Sequence, residues 1–503
     1  MTNMTEPNTY QLFIVGGGVN GCGIARDAAG RGLSVCLAEQ SDLAGATSSG
    51  STKLIHGGLR YLEHYEFSLV RKSLTERETL WKIAPHLIRP LRFVLPHHKG
   101  LRPAWLIRLG LALYDHLGGR KQLATSTTLN LARDDAGKPL QAKYKKGFEY
   151  SDCWVDDARL VVLNALDATR KGANILTHTK VISAQRENGK WKIQTENSHN
   201  EIHTFYAEVL INATGPWVDH FLNTATGDQN PDQIRLVRGS HIVVPRRFDH
   251  DRCYLFQNSD DRIVFAIPYE DRFTLIGTTD NDYHGPPSQV AITDKEIDYL
   301  CQAVGEYFAE PVLPEEVVWS YSALRPLLDS GESDAQSVTR DYQIKTQTHQ
   351  GKTALINIYG GKITTYRLLA EEVMNAVEPY LPNQSAPWTA SQPLPGGEFA
   401  TDQFPTQVSA LLEQYPFLSM QHAHRFIRLY GTLAHAILEA KTSYEDMGLH
   451  FGGDLYEAEV SYLINNEWAT NAQDVLWRRT KEGLKFSVEQ REKLDQFFQT
   501  LTP

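Results

Sequence analysis

The sequence predicts an α/β protein of several domains. These are a discontinuous dinucleotide-binding domain, a second domain on a mixed or antiparallel sheet, and a C-terminal all-helical domain. Three observations carry the expectation. An apolar strand near the N-terminus runs into a glycine-rich turn and a small-residue helix. Short apolar strands ending in small residues recur far downstream, at 209–215 and 355–361. From about residue 404 the chain becomes helix-patterned and rich in Leu, Ala, Glu and Gln. With 503 residues the chain exceeds one ordinary core, so two to four domains are expected.

The first strand, Gln11 to Val15, meets Gly16-Gly17-Gly18-Val19-Asn20-Gly21, and the following helix closes at Gly30 and Gly32. A second strand, Ser34 to Ala38, ends at Glu39, which completes a strand–helix–strand opening. Residues 60–120 read as helices broken by Pro85, Pro90, Pro96 and Pro103. Strand-like alternation dominates 175–215 and 235–280, and Leu355 to Ile358 is a further strand before Gly360-Gly361-Lys362. The expected division is a region 8–390, with dinucleotide segments near 8–75, 150–230 and 352–390 and substrate or cap segments near 76–149 and 231–351, followed by a helical domain at 391–503.

A net charge of −10 with no long basic run argues against a nucleic-acid partner. The five cysteines are widely spaced and form no C-x-x-C pair, so neither a disulfide framework nor a metal site is indicated, and a reducing cytoplasmic setting is expected. The N-terminal residues lack the basic and apolar regions of a secretion signal. No stretch approaches the roughly 20 apolar residues that span a bilayer, so any membrane contact is expected to be peripheral or monotopic.

The glycine-rich turn carries specific chemistry. Gly16 permits the tight turn, Gly18 lets backbone approach a pyrophosphate, and Gly21 lets helix pack on strand. The helix N-terminus at Val19 and Asn20 offers free N–H groups to phosphates, and Glu39 stands where a carboxylate accepts from a ribose. The cofactor is FAD or NAD on this motif alone. The strand 209–217 (VLINATGPW), with Ala213-Thr214-Gly215 at its end, favours FAD, a long cofactor that needs contacts from several remote segments.

Further stretches resemble the aerobic, respiratory FAD-dependent glycerol-3-phosphate dehydrogenases. They are 46–49 (ATSS), 51–62 (STKLIHGGLRYL), 147–160 (GFEYSDCWVDDARL), 238–245 (RGSHIVVP) and 360–367 (GGKITTYR). They occur in family order, and the PLPGG turn at 393–397 with Trp477-Arg478-Arg479-Thr480-Lys481 looks like the family's helical domain, so the resemblance spans essentially the whole chain. Ala323 stands where the family usually has glycine, and no calcium-binding loop follows, as in the bacterial members.

The resemblance implies a Rossmann-like FAD domain, sn-glycerol 3-phosphate as substrate, dihydroxyacetone phosphate as product, a membrane quinone as acceptor and a homodimer at the inner face of the cell membrane. Arginine suits a phosphate dianion, and the candidates are Arg60, Arg325 and Arg340. Lys362 is expected beside the flavin edge, and His241 is the preferred proton acceptor, with His56 as a rival that contacts cofactor instead. Tyr61 and Thr278 are candidate substrate-positioning hydroxyls. Ser48, Ser49, Thr52, Lys53 and Gly361 are expected to serve the cofactor. The segment 101–114 (LRPAWLIRLGLALY) has the composition of an interfacial amphipathic helix, or equally of a core helix with snorkelling arginines; the resemblance favours the first. The alternatives are an oxygen-using glycerol-3-phosphate oxidase, an amine or amino-acid oxidase of the same fold, and a non-catalytic flavin-binding protein.

Overall fold

The computed structural model describes residues 8–501, apart from 120–121, 229–233, 261, 329–340 and 350–351. Two large sheets and a helical C-terminal region make up the described chain. The first sheet has eight strands, and six of them lie side by side in the order Gln343–His349, Lys352–Tyr359, Ile202–Asn212, Thr9–Val15, Val35–Ala38 and Asn174–Leu176. The central pairings are parallel: Ile14 lies beside Ile211 and Leu37, and Ile211 lies beside Ile356. Three segments remote in sequence therefore end at one edge, where loops after Val15, Asn212 and Tyr359 converge. Strands buried on both faces read as continuous apolar runs, which is why LFIV, VLI and ALINI were legible. The covering helices Val19–Gly30, Asp157–Arg170 and Tyr366–Val377 pack Cys22, Ile24, Ala25, Val161, Leu369 and Val373 into one core.

The second sheet has ten strands. Ile234–Pro245 pairs antiparallel with Phe273–Gly277 on one side and Trp319–Leu328 on the other. Further along lie Ile263–Tyr269, Cys253–Gln257, Ile88–His97 and Lys146–Val155, with Leu54–Ile55 at the end. This corrects one expectation. Residues 88–97 form a strand, not a proline-broken helix. Its parallel neighbour pairs only at Phe93 and Val94, so Pro90 and Pro96 lie where no partner on that side needs their missing N–H. Leu54 and Ile55 pair with Trp154 and Cys153 at the end of this sheet.

The C-terminal region carries helices Phe404–Gln414, Met420–Tyr430, Ala434–Leu438, Glu457–Glu467 and Val488–Leu501 around a core of Leu411, Phe426, Ile427, Leu463 and Leu494. It is helical except for a small hairpin, His450–Gly452 with Leu455–Tyr456. Buried ion pairs tie it to a loop and a covering helix of the first sheet. Arg479 reaches Asp42 at 2.8 Å, and Arg159 pairs with Glu467. All five cysteines are buried and free. Among the described residues no helix is long and apolar enough to cross a membrane, and no cluster could hold a metal ion.

Candidate active site

A cavity of about 660 Å³ opens at the edge where the three parallel strands end. Gly16, Gly18, Val19, Asn20, Glu39, Ser48, Ala213, Thr214, Gly215 and Gly361 line it. Gly16 has φ +113°, and a Cβ there would sit 2.4 Å from the backbone oxygen of Ala213, so only glycine lets these two strand ends close on each other. Gly17 and Gly21 stand behind the wall; the Gly17 N–H donates to Glu39 Oε2 at 2.6 Å, which fixes the carboxylate at the cavity's far end. The helix N-terminus is anchored by Val19 N–H donating to Ser48 Oγ at 2.9 Å. Asn20 Nδ2 donates to the Gly360 oxygen at 3.2 Å, while its buried Oδ1 has no partner. Thr214 Oγ1 donates to Asn212 Oδ1 at 2.7 Å.

This donor set suits a long dinucleotide: helix N–H groups for a pyrophosphate, a fixed carboxylate for a ribose, and contacts from three remote segments. The orphaned Asn20 oxygen and the long cavity fit the flavin member of that class.

The remaining residues fall on the facing strands. His241, Thr278 and Arg325 gather around two glycines. A Cβ at Gly277 would lie 2.1 Å from the His241 ring, and one at Gly239 would lie 2.6 Å from Arg325 Nη2 and 2.8 Å from Thr278 Oγ1. Arg325 Nη2 donates to Thr278 Oγ1 at 3.3 Å, and its other nitrogen pairs with Asp280. His241 Nε2 lies 3.0 Å from Thr52 Oγ1, and its ring stacks on Tyr321 at 4.8 Å. Its buried Nδ1 has no hydrogen-bond partner. Burial pushes the His241 pKa well below 6.5, and the cations Lys53 and Arg325 push it the same way.

Lys362 Nζ is buried without a hydrogen-bond partner and sits 3.8 Å from the Tyr61 ring centroid. Arg60 is half-buried in the turn Leu59–His64 and has no ion pair among the described residues. Arg340 lies outside the described residues. Ser49 Oγ donates to the Ala46 oxygen at 3.3 Å, and the His56 N–H donates to Thr364 Oγ1 at 3.3 Å. Lys53, expected at the cofactor, has its ammonium committed elsewhere. It is 1% exposed, 2.9 Å from both Asp157 oxygens, and also donates to the Ser49 oxygen at 3.0 Å. The residue thus shapes the 49–53 loop from beneath. Gly239, Asp280, Asp157 and Tyr321 complete the site without having been singled out. Gly239 and Asp157 had a signal, since they lie inside the 238–245 and 147–160 stretches.

Glycine turn, fixed ribose carboxylate and a polar sheet face beside them define a flavin-dependent oxidoreductase. Comparison with known proteins agrees. Residues 11–371 match the family described as FAD dependent oxidoreductase, and residues 387–502 match the C-terminal domain of alpha-glycerophosphate oxidase. The chain belongs to the FAD-dependent oxidoreductase family, and its cofactor is FAD. It is 51% identical to the D-erythritol 1-phosphate dehydrogenase of Brucella abortus over 98% of this chain and 99% of that one. It is 49% identical to a glycerol-3-phosphate dehydrogenase of Pseudomonas aeruginosa (98% and 96% covered) and 47% identical to the aerobic enzyme of Escherichia coli (97% and 97%). The solved glycerol-3-phosphate dehydrogenase from Bacillus halodurans, complexed with FAD, superposes with a TM-score of 0.77 at 26% identity, covering 98% of this chain and 94% of that one.

Proposed function

We propose that the protein oxidises sn-glycerol 3-phosphate to dihydroxyacetone phosphate by hydride transfer to FAD and passes the electrons to a membrane quinone. The observation that carries the reading is the His241, Thr278 and Arg325 cluster, linked to the 48–53 loop of the cofactor cavity through Thr52. The substrate is a small phosphorylated secondary alcohol. Arg325 and Arg60 hold its phosphate, with Arg340 as a third cation, and a guanidinium fork supplies two parallel donors where an ammonium supplies a point charge. Thr278 and Tyr61 position the substrate hydroxyl.

FAD, when bound, accepts the hydride at its flavin ring. Gly16 to Gly21, Glu39, Ser48, Ser49, Ala213 to Gly215 and Gly361 hold it. His241 takes the hydroxyl proton at a ring nitrogen, which its depressed pKa keeps free at neutral pH. The Lys362 ammonium, buried and without a hydrogen-bond partner, offsets the negative charge that develops as the alcohol is oxidised. His56 serves the cofactor segment through its backbone.

The helix Ala104–Leu117 docks on the membrane. Trp105, Leu109 and Leu113 are 69%, 60% and 41% exposed in a row along it, while Leu111 and Tyr114 face the core. The protein then works as a homodimer at the cytoplasmic face of the cell membrane.

A second reading of the substrate is favoured by the Brucella relative, which is named for D-erythritol 1-phosphate. That compound keeps the phosphate and secondary alcohol and adds one carbon. A second reading of the acceptor is oxygen, with peroxide as product, favoured by the description of the C-terminal domain.

Anaerobic flavin bleaching tests all three. Glycerol 3-phosphate bleaching the holoenzyme at least tenfold faster than erythritol phosphate, with faster reoxidation by quinone than by air, supports the proposal. The reverse substrate order selects the four-carbon reading, and fast reoxidation by air with peroxide selects the oxidase. No bleaching by either phosphate sinks the substrate class.

A further inference from the structure

We propose that a second cavity, of about 310 Å³, binds the ring of a planar two-electron acceptor of the quinone class. It lies between the 45–50 loop, the strand Trp319–Leu328 and the C-terminal region, and its size is that of a small-molecule site. It shares Gly45, Ala46, Thr47, Pro216, Trp217 and Ser288 with the cofactor cavity. An occupant is thus separated from the cofactor cavity by these shared residues, and the 45–50 loop among them is tied to the strand Trp319–Leu328 by Thr47 Oγ1 donating to the Leu324 oxygen at 2.7 Å.

The lining selects the chemistry. Half-buried Trp217, Trp319, Tyr321 and Trp477 supply ring faces. Trp477 stacks on Trp319 at 4.6 Å, Trp319 meets Tyr321 at 5.0 Å, and Tyr321 stacks on His241 at 4.8 Å. Offset aromatic faces favour another flat ring. The cations present are already matched: Arg478 pairs with Asp42 and Asp474, and Lys481 faces Asp156 at 3.8 Å. A phosphate or carboxylate therefore finds no unmatched cation there, whereas a neutral ring with carbonyl oxygens finds surfaces and donors. Lys481 stands in the wall with its ammonium held by the protein. It is 3% exposed and already donates to the Trp477 oxygen at 2.6 Å. Burial lowers its pKa below that of an ordinary lysine, which suits an ammonium that gives up a proton.

The inference rests on the proposed reaction. The alcohol loses its C–H as hydride and its O–H as a proton; the quinone gains two electrons and two protons and becomes the quinol. Alcohol plus quinone gives ketone plus quinol, with nothing left over. The C-terminal region is then part of the electron exit, because Trp477, Arg478 and Lys481 come from it.

The test uses the holoenzyme with a short-chain azidobenzoquinone, photolysed and mapped by peptide mass spectrometry. Label is expected within 317–325 and 475–484. Two variants accompany it: Trp477→Ala, which opens the cavity, and Val290→Trp, which fills it from the 287–290 segment of its lining. In each, quinone reoxidation of dithionite-reduced enzyme should slow at least tenfold, while reoxidation by air and bleaching by the polyol phosphate stay within twofold. Label confined to the helix Ala104–Leu117, or unchanged quinone reoxidation in both variants, overturns the inference. Photolabelling and dithionite reduction need no substrate, so failure of the substrate reading registers separately, as absent bleaching.

Discussion

Gly239→Ala isolates the part of the site that we propose grips phosphate. Its φ lies outside the left-handed region, and its strand partner is Ala323, so the backbone accepts alanine. The new Cβ would stand 2.6 Å from Arg325 Nη2, and ordinary contact begins at 3.4 Å, so the guanidinium must retreat by roughly 0.8 Å. The moving atom is the end of a flexible side chain, so stability changes little. Substrate handling changes more, because a displacement near 1 Å costs about 100-fold in a positioned reaction. The expected loss in kcat/KM is about 30- to 100-fold, or ~2 to 2.7 kcal/mol, in line with the ~1.5 to 3 kcal/mol of a hydrogen bond to a charged group. Steady-state kinetics beside a thermal melt measure both sides. Combined with Arg325→Lys, the two losses should be strongly non-additive, since both act through one guanidinium. A kcat/KM within threefold of the parent, in a protein with the parent melt and flavin content, would refute the assignment of Arg325 to the phosphate.

Gly16→Ala should abolish flavin binding at least tenfold, because its Cβ meets backbone that cannot swing away; the ratio of flavin to protein absorbance reads it directly. The pH dependence has a defined sign. His241 is depressed below 6.5, so its base form persists as pH falls through 6.5 and the acid limb of kcat/KM lies below that value. Lys53→Met removes one of the two cations responsible, and the limb should move up. Buried His86 and His422, each pushed down to about 3, stay neutral while their unfolded counterparts protonate. Stability should therefore be full above pH 6.5 and fall steadily between 6.5 and 3, as read by denaturation midpoints. Leu109→Glu with Leu113→Glu should cut co-sedimentation with anionic vesicles at least tenfold, given ~1.5 to 3 kcal/mol for each buried leucine, and leave bleaching by substrate intact.

How much of this was legible depended on whether the information was local. The strand–glycine–helix opening, Ala213-Thr214-Gly215 and Gly360-Gly361 were readable because apolar runs ending in small residues announce parallel strands that finish at one edge. Which carboxylate returns to which cation was not. Lys53 reads as a cofactor ligand until Asp157, remote in sequence, arrives beneath it, and Arg325 keeps an Asp280 partner that no spacing rule supplies. The strand Ile88–His97 was hidden because proline signals a broken helix locally, while its tolerance here depends on a neighbour that pairs at only two positions. Gly239 was visible inside its stretch, but its purpose was not, since the guanidinium it makes room for comes from another strand.

Tyr114 gives the helix Ala104–Leu117 a second connection. Its hydroxyl accepts from the Gly57 N–H at 2.8 Å and donates to Asp152 at 2.8 Å, and Arg77 braces the same carboxylate at 2.7 Å. Gly57 begins the turn that carries Arg60 and Tyr61. The outward residue Leu113 and the inward residue Tyr114 are neighbours on one helix, so a roll of that helix about its axis would act on the turn through this hydroxyl and through the apolar packing the two share. Whatever fixes the helix's angle therefore also bears on the turn that carries Arg60 and Tyr61.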